Sequence, residues 1–357
     1  MSAPHLPPKS CSIRAHQQLR LLPWAVFLLL VSALTSVAVS LSVVTWFLPS
    51  LIPETRVAPR GARVLQEIAV DPILDRQIKQ SMLTIYDKRE KVDGAFYTDA
   101  ALVGRAALLS SDGWAVMHAG SAAARASFLE AVDHQGTVYP VESIVADPLS
   151  GLAYLKVNGG GFRVMALFSW DAAPDGALWS FFLDGYREAF LGEAEKNEGA
   201  EDVFAMYEPQ YAFALLPGAP AGSVILTTRG ELAGFAAADG QLIPSWMVGN
   251  QLPSVLSEGG VSYLGLPYRG RVVSSVVTET GLRPLPGFYV ETSPTRVSSS
   301  TIGKKDVILK IDGKAIAPFD LARQVLTSPD PVAVTVFRGG EEYDILVPKT
   351  EVINPKS

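Results

Sequence analysis

The chain has 357 residues, 48% apolar and 18% charged, which excludes a mainly disordered protein. Its 30 basic and 36 acidic residues leave a net charge of −6, which argues against a general nucleic-acid binder. The single cysteine, Cys11, excludes a disulfide scaffold and a thiolate zinc cluster, and only His5, His16, His118 and His134 offer an imidazole.

Leu21 to Pro53 carries no charge. Its core, 22–48, is long enough to cross ~30 Å of hydrocarbon. Trp24 and Trp46 stand near its ends, and Lys9, Arg14 and Arg20 precede it with no acidic residue. The positive-inside rule then predicts a cytoplasmic segment 1–20, one transmembrane helix at 21–48, and all later residues on the far side of a cytoplasmic membrane, the periplasmic side in a bacterium. A cleaved signal peptide is the alternative; the apolar run is longer than a usual signal core, and Val37-Ala38-Val39 is a poor cleavage site. Without its three N-terminal basic residues the chain holds 27 basic and 36 acidic residues, so the exported part is acidic, at −9.

Residues 49–75, with Pro49, Pro53, Pro59 and Gly61, read as a stalk, and Ile73 to Gln80 as a short helix. Short β-rich runs follow, among them Met82–Tyr86, Ala106–Leu109, Trp114–Met117, Leu152–Leu155, Trp179–Leu183 and Val224–Thr227. Many short strands between Gly, Asp and Pro predict a barrel or sandwich over 76–250. Residues 188–202 read as a solvated acidic loop, and Pro244 to Glu258 as a short amphipathic helix. A second domain over 258–350 is predicted to hold the strand Val307–Ile311, an Asp312-Gly313 turn, a helix over Phe319–Leu326 and strands at Val332–Phe337 and Tyr343–Val347. A tail, 351–357, closes the chain. No internal repeat is present. His134 reads as a turn residue, Asp133 and His134 have no metal-ligand spacing to His118, and no cofactor is expected.

Several segments together resemble the HtrA/Deg family. Gly104 to Val116 is similar to its glycine-led strand, Asp-Gly turn and next strand. Asp147 to Val157 is similar to the segment around its catalytic aspartate, and Thr228 to Phe235 to the hairpin after its nucleophile. Gly303 to Ile316 carries the most specific likeness, to the family's PDZ domain. The resemblance covers roughly residues 76–350. It implies a mainly β fold: a trypsin-like double β-barrel followed by an α/β PDZ domain, behind one N-terminal transmembrane helix.

The same resemblance places the catalytic positions. A serine protease needs a serine, a histidine that takes its proton and a carboxylate that orients the histidine. The family pattern Thr-Asn-x-His falls on Met117-His118-Ala119-Gly120, so Gly120 stands where the histidine belongs. The aspartate position is Gly151. Gly-Asn-Ser-Gly-Gly falls on Ala219-Pro220-Ala221-Gly222-Ser223, so the nucleophile position is Ala221. Displaced substitutes would be His118, Asp147 and Ser223. Two residues along a strand move a hydroxyl by roughly 6–7 Å, beyond hydrogen-bond reach. The expected protein is therefore a degenerate member, with an active endopeptidase using displaced residues as the competing reading.

In the second domain the resemblance implies a groove that takes peptide or protein C-termini by strand addition. Tyr263-Leu264-Gly265-Leu266 is similar to the loop that receives the terminal carboxylate. Leu321 and Val325 share one helix face that would form the opposite wall. The family run Ala-Gly-Leu-x-x-Gly-Asp stands here as Ser300-Thr301-Ile302-Gly303-Lys304-Lys305-Asp306, with Thr301 and Lys305 in place of glycines, which alters the loop. A homotrimer or co-assembly with an active protease follows from the resemblance, as does a role as adaptor, sensor or regulator in envelope protein quality control. A purely structural protein with a closed groove is the third reading.

Overall fold

The computed structural model describes residues 68–121, 126–171, 176–182, 185–197, 202–278, 281–293 and 302–353. The expected membrane helix, residues 49–67 of the stalk, Thr301 and part of the acidic segment lie outside the described residues. Among the described residues no helix is long and apolar enough to cross a membrane. All of them belong to one compact unit, Val64–Ser357.

Helix α1 (Pro72–Gln80) starts where Asp71 accepts the N–H groups of Ile73 at 2.8 Å and Leu74 at 3.2 Å, with Pro72 in the first turn. Its buried Ile78 joins the core below.

Two closed six-stranded barrels follow. The first holds β1 (Met82–Asp87), β2 (Leu102–Leu108), β3 (Trp114–His118), β4 (Leu129–Val132), β5 (Val138–Ala146) and β6 (Leu152–Val157), closed in the order β1-β2-β3-β6-β5-β4. The second holds β7 (Leu178–Phe182), β8 (Gly185–Lys196), β10 (Tyr211–Leu216), β11 (Val224–Thr227), β12 (Leu232–Ala236) and β13 (Gln241–Pro244). Closure leaves no open sheet edge in either barrel. Leu83, Ile85, Leu108, Leu155 and neighbours fill the first; Leu178, Ile225, Ala233 and Leu242 fill the second.

The expected acidic loop is largely a strand. Glu188, Glu193 and Glu195 all lie in β8, with exposed side chains, while Tyr186 and Ala189 are buried. Charge on the outer face of a barrel strand is compatible with pairing, because only the inner face needs to be apolar.

Helix α2 (Ser245–Glu258) leaves the second barrel and ends on Gly259, whose φ of +62° is the left-handed cap conformation. Its Asn250 amide donates to the carbonyl of Leu326 at 2.8 Å. The C-terminal domain has β14 (Tyr263–Gly265), β15 (Arg269–Thr278), β16 (Gly281–Thr292), β17 (Val307–Ile311), β18 (Lys314–Ala315), α3 (Leu321–Thr327), β19 (Val332–Arg338), β20 (Glu341–Val347) and β21 (Thr350–Ile353). Residues 351–353, expected as part of a tail, are strand: β21 pairs antiparallel with β14 through Tyr263↔Ile353 and Gly265↔Thr350. Lys305 adopts φ +78°, the left-handed conformation that glycine takes without strain and an L side chain takes at a cost of about 1–2 kcal/mol. The turn is held by buried Asp306, which accepts the Gly303 N–H at 2.6 Å and pairs with Arg338.

The main sheet of this domain runs β20-β19-β17-β16-β15 and is completed by a strand from elsewhere in the chain. Its outermost strand, β9 (Phe204–Ala205), comes from the connection between β8 and β10 of the second barrel.

Candidate functional site

Three connecting segments meet at the junction of the two barrels. The first follows β3, the second joins β5 to β6 and the third precedes β11. The Ala119 N–H donates to the Gly151 carbonyl at 2.8 Å. A Cβ added to Gly222 would stand 4.0 Å from the His118 Cβ. Gly120, Gly151 and Ala221 are all exposed at this junction. None of them carries a group that can attack, accept a proton or hold a charge.

His118 lies over position 120. Its Nδ1 accepts the Gly120 N–H at 3.3 Å, and a Cβ at 120 would come within 2.7 Å of the imidazole Cε1. A side chain at 120 therefore requires the His118 ring to move. Burial lowers the His118 pKa, and the nearby Asp239 carboxylate, in the turn between β12 and β13, opposes that shift. The folded chain thus keeps this imidazole neutral at a pH where the unfolded chain would protonate it. Stability from this group is fully present above about 6.5 and is lost as pH falls through 6.5 toward the lower folded value. His118→Gln is expected to flatten that part of the acid dependence of thermal unfolding between pH 7 and 5. An unchanged pH profile would show that the imidazole does not couple to folding.

Asp147 and Ser223 are engaged elsewhere. Asp147 is 2% exposed and its carboxylate accepts the Leu149 N–H at 3.0 Å, the Ser150 hydroxyl and the Tyr263 hydroxyl at 2.6 Å. Tyr263 is itself fully buried, and burial followed by the Asp147 charge pushes its phenol far above the ordinary value. Ser223 is 0% exposed, and its hydroxyl donates to the Pro220 carbonyl at 2.6 Å. The Ser223 N–H also donates to Pro220, at 3.0 Å, closing a turn with Gly222 at φ +80°. The Gly222 N–H donates to Ala236 at 2.8 Å. Both backbone donors are thus engaged within the chain.

The second constellation lies in the C-terminal domain. Leu266, Leu321 and Val325 are buried in one cluster. Gly265 is buried, and a Cβ there would meet the Tyr207 Cβ and Val352 at 3.3 Å and Leu326 at 3.6 Å. Leu264 is 49% exposed. Tyr263 points away from this face to Asp147 in the first barrel.

Phe204 and Met206 are buried in the same cluster. Sequence reasoning missed this segment, together with its partner Arg269 and the Asp239 that faces His118. The available signal was the uncharged run Val203 to Tyr207 between acidic Asp202 and Glu208. Nothing local says which sheet that run joins.

No protein-family model and no curated protein matches the sequence. Solved structures do. The HtrA-type protease AlgW with a decapeptide matches at TM-score 0.51 and 17% identity, over 79% of this chain and 98% of that one. A serine-to-alanine variant of AlgW with a tripeptide matches at TM-score 0.51 and 16% identity, over 79% and 97%. What is shared at this identity is the fold, two closed barrels of the trypsin-like type in a chain built like these HtrA-type proteases.

Proposed function

We propose that this chain is a membrane-anchored, HtrA-like pseudoprotease. The double barrel serves as a scaffold. The C-terminal domain is of PDZ type and binds exported peptide or protein C-termini, as an adaptor, sensor or regulator of envelope protein quality control. The anchor is the apolar segment 21–48, with the folded part on the periplasmic side. Assembly as a homotrimer, or with an active protease, belongs to the same reading.

The observation that carries it is the junction of the barrels. The segments that would present a triad converge there, yet positions 120, 151 and 221 hold glycine, glycine and alanine. The substitutes are committed: Ser223 is buried on Pro220 and Asp147 is bonded to Tyr263. Acyl transfer needs a nucleophile within hydrogen-bond reach of its base, and this site supplies none. AlgW, with its peptides, supports the binding half of the proposal by likeness of fold.

One feature favours the competing reading, an active endopeptidase with displaced residues: the His118 ring fills the space above position 120. The full chain in detergent should remain unlabelled by a fluorophosphonate probe and should leave an unfolded protein substrate intact. Labelling with cleavage, lost on Ser223→Ala or His118→Ala, would overturn the pseudoprotease reading.

A further inference from the structure

Strand β9 occupies the place at which a peptide would join the C-terminal sheet. It pairs antiparallel with β15, Ala205 opposite Arg269 and Phe204 opposite Gly270. The Met206 N–H continues the ladder by donating to the Tyr268 carbonyl at 3.1 Å. Arg269 donates to the Val203 carbonyl at 3.2 Å.

Side chains alternate as they must on a strand. Phe204 and Met206 enter the cluster of Leu321 and Val325, and the Phe204 ring meets Phe288 edge-on with centroids 5.5 Å apart. The segment runs toward Gly265 and ends there. Tyr207 packs on Gly265, and the chain then turns back, the Glu208 N–H donating to the Ala205 carbonyl at 2.9 Å. Direction, pairing, pocket filling and end point are those of an extended ligand.

The hold is short. β9 pairs with only Arg269 and Gly270 of the ten-residue β15. A separate peptide could pair further along the same strand, so it has more ladder to gain than the tethered segment gives up. Tethering opposes it with an effective concentration of order millimolar.

We propose that residues 203–208 are a tethered pseudo-ligand of this groove. Its external partner is an extended peptide end with large apolar side chains two residues apart, an aromatic followed by a methionine-sized group, and it binds by displacing the tethered segment. The proposal rests on the PDZ-type reading of the C-terminal domain and adds to it the ligand pattern and the competition.

The test uses the full chain in detergent micelles with Cys11→Ser, and a fluorescent peptide Asp-Val-Phe-Ala-Met-Tyr with a free C-terminus. Ala205→Cys with Arg269→Cys places two thiols directly across the ladder. Oxidised, this variant should migrate as a monomer and fail to bind the peptide; reduced, it should bind. In a chain with both cysteines absent, Phe204→Ser with Met206→Ser should bind the peptide about tenfold tighter or more, as expected when a millimolar internal competitor is weakened. The corresponding Asp-Val-Ser-Ala-Ser-Tyr peptide should not bind.

Equal affinity in the oxidised, reduced and serine-substituted chains would overturn the pseudo-ligand while leaving peptide binding intact. A covalent dimer on oxidation would overturn it in favour of exchange of the segment between two copies. Binding by none of the forms would overturn both the pseudo-ligand and the PDZ-type reading.

Discussion

Gly270→Ala should destabilise the C-terminal domain by at least about 3 kcal/mol, at the upper end of what overpacking costs. A Cβ at this position would stand 1.9 Å from the carbonyl oxygen of Tyr289 and 2.9 Å from the ring of Phe288. The first of these is backbone in the neighbouring strand, which no side-chain rotation can relieve. Gly270 also lies opposite Phe204, so β9, β15 and β16 come together at this residue. Chemical denaturation of the full chain is the measurement, with hydrogen exchange to localise the loss. Protection should fall in β15, β16 and residues 203–206 and persist in the two barrels. A variant as stable as the parent would mean that the close approach of these strands does not exist.

Tyr263→Phe should cost about 1.5–3 kcal/mol, the range for a hydrogen bond to a charged group. The phenol donates at 2.6 Å to a carboxylate that is 2% exposed, and the substitution leaves that carboxylate short of one donor. Asp147→Asn should also destabilise, and the two losses should not add, because each removes the same bond. A second measurement separates this bond from simple packing. The Tyr263 phenol is held protonated far above its ordinary value of 10.0, by burial first and by Asp147 second. Its contribution is therefore full below pH 10 and is lost as pH rises beyond it. Phenylalanine removes that alkaline loss. Additive single losses together with an unaltered alkaline limb would refute the coupling.

This bond also joins two parts of the chain. Asp147 lies four residues before Gly151, in the first barrel, and Tyr263 opens the C-terminal domain. The pair ties the two at the point where helix α2 hands over to β14. One apolar cluster spans the same joint, from Val116 and Tyr154 through Phe235 and Val255 to Leu326. On the proposed reading, a region that once held chemistry now holds domains together.

The local elements were legible because their signals are local. Val224–Thr227 and Val307–Ile311 are apolar runs between turn residues, and both are strands with the expected limits. The helix after the second barrel begins one residue later than expected, at Ser245, because Pro244 takes the extended cap conformation. The helix expected from Phe319 begins at Leu321; Pro318 to Asp320 wind more tightly as a 3-10 turn. β8 was misjudged because its charges cluster in sequence, and their common outward face is visible only once the barrel closes.

The amino-acid sequence alone determined which groups are missing. Glycine at 120 and 151 and alanine at 221 exclude side-chain chemistry at those positions in any fold, since no conformation supplies an absent functional group. It also determined the β-rich order of elements, since hydrophobic period and turn residues act over a few positions. Tertiary structure decided where the remaining functional groups went. Ser223 faces Pro220, Asp147 faces Tyr263 116 residues away, and His118 covers Gly120. It alone decided that Phe204 and Ala205 pair with β15, because strand addition is a pairing of backbone edges, and a backbone edge carries no mark in the sequence of the strand that will cover it.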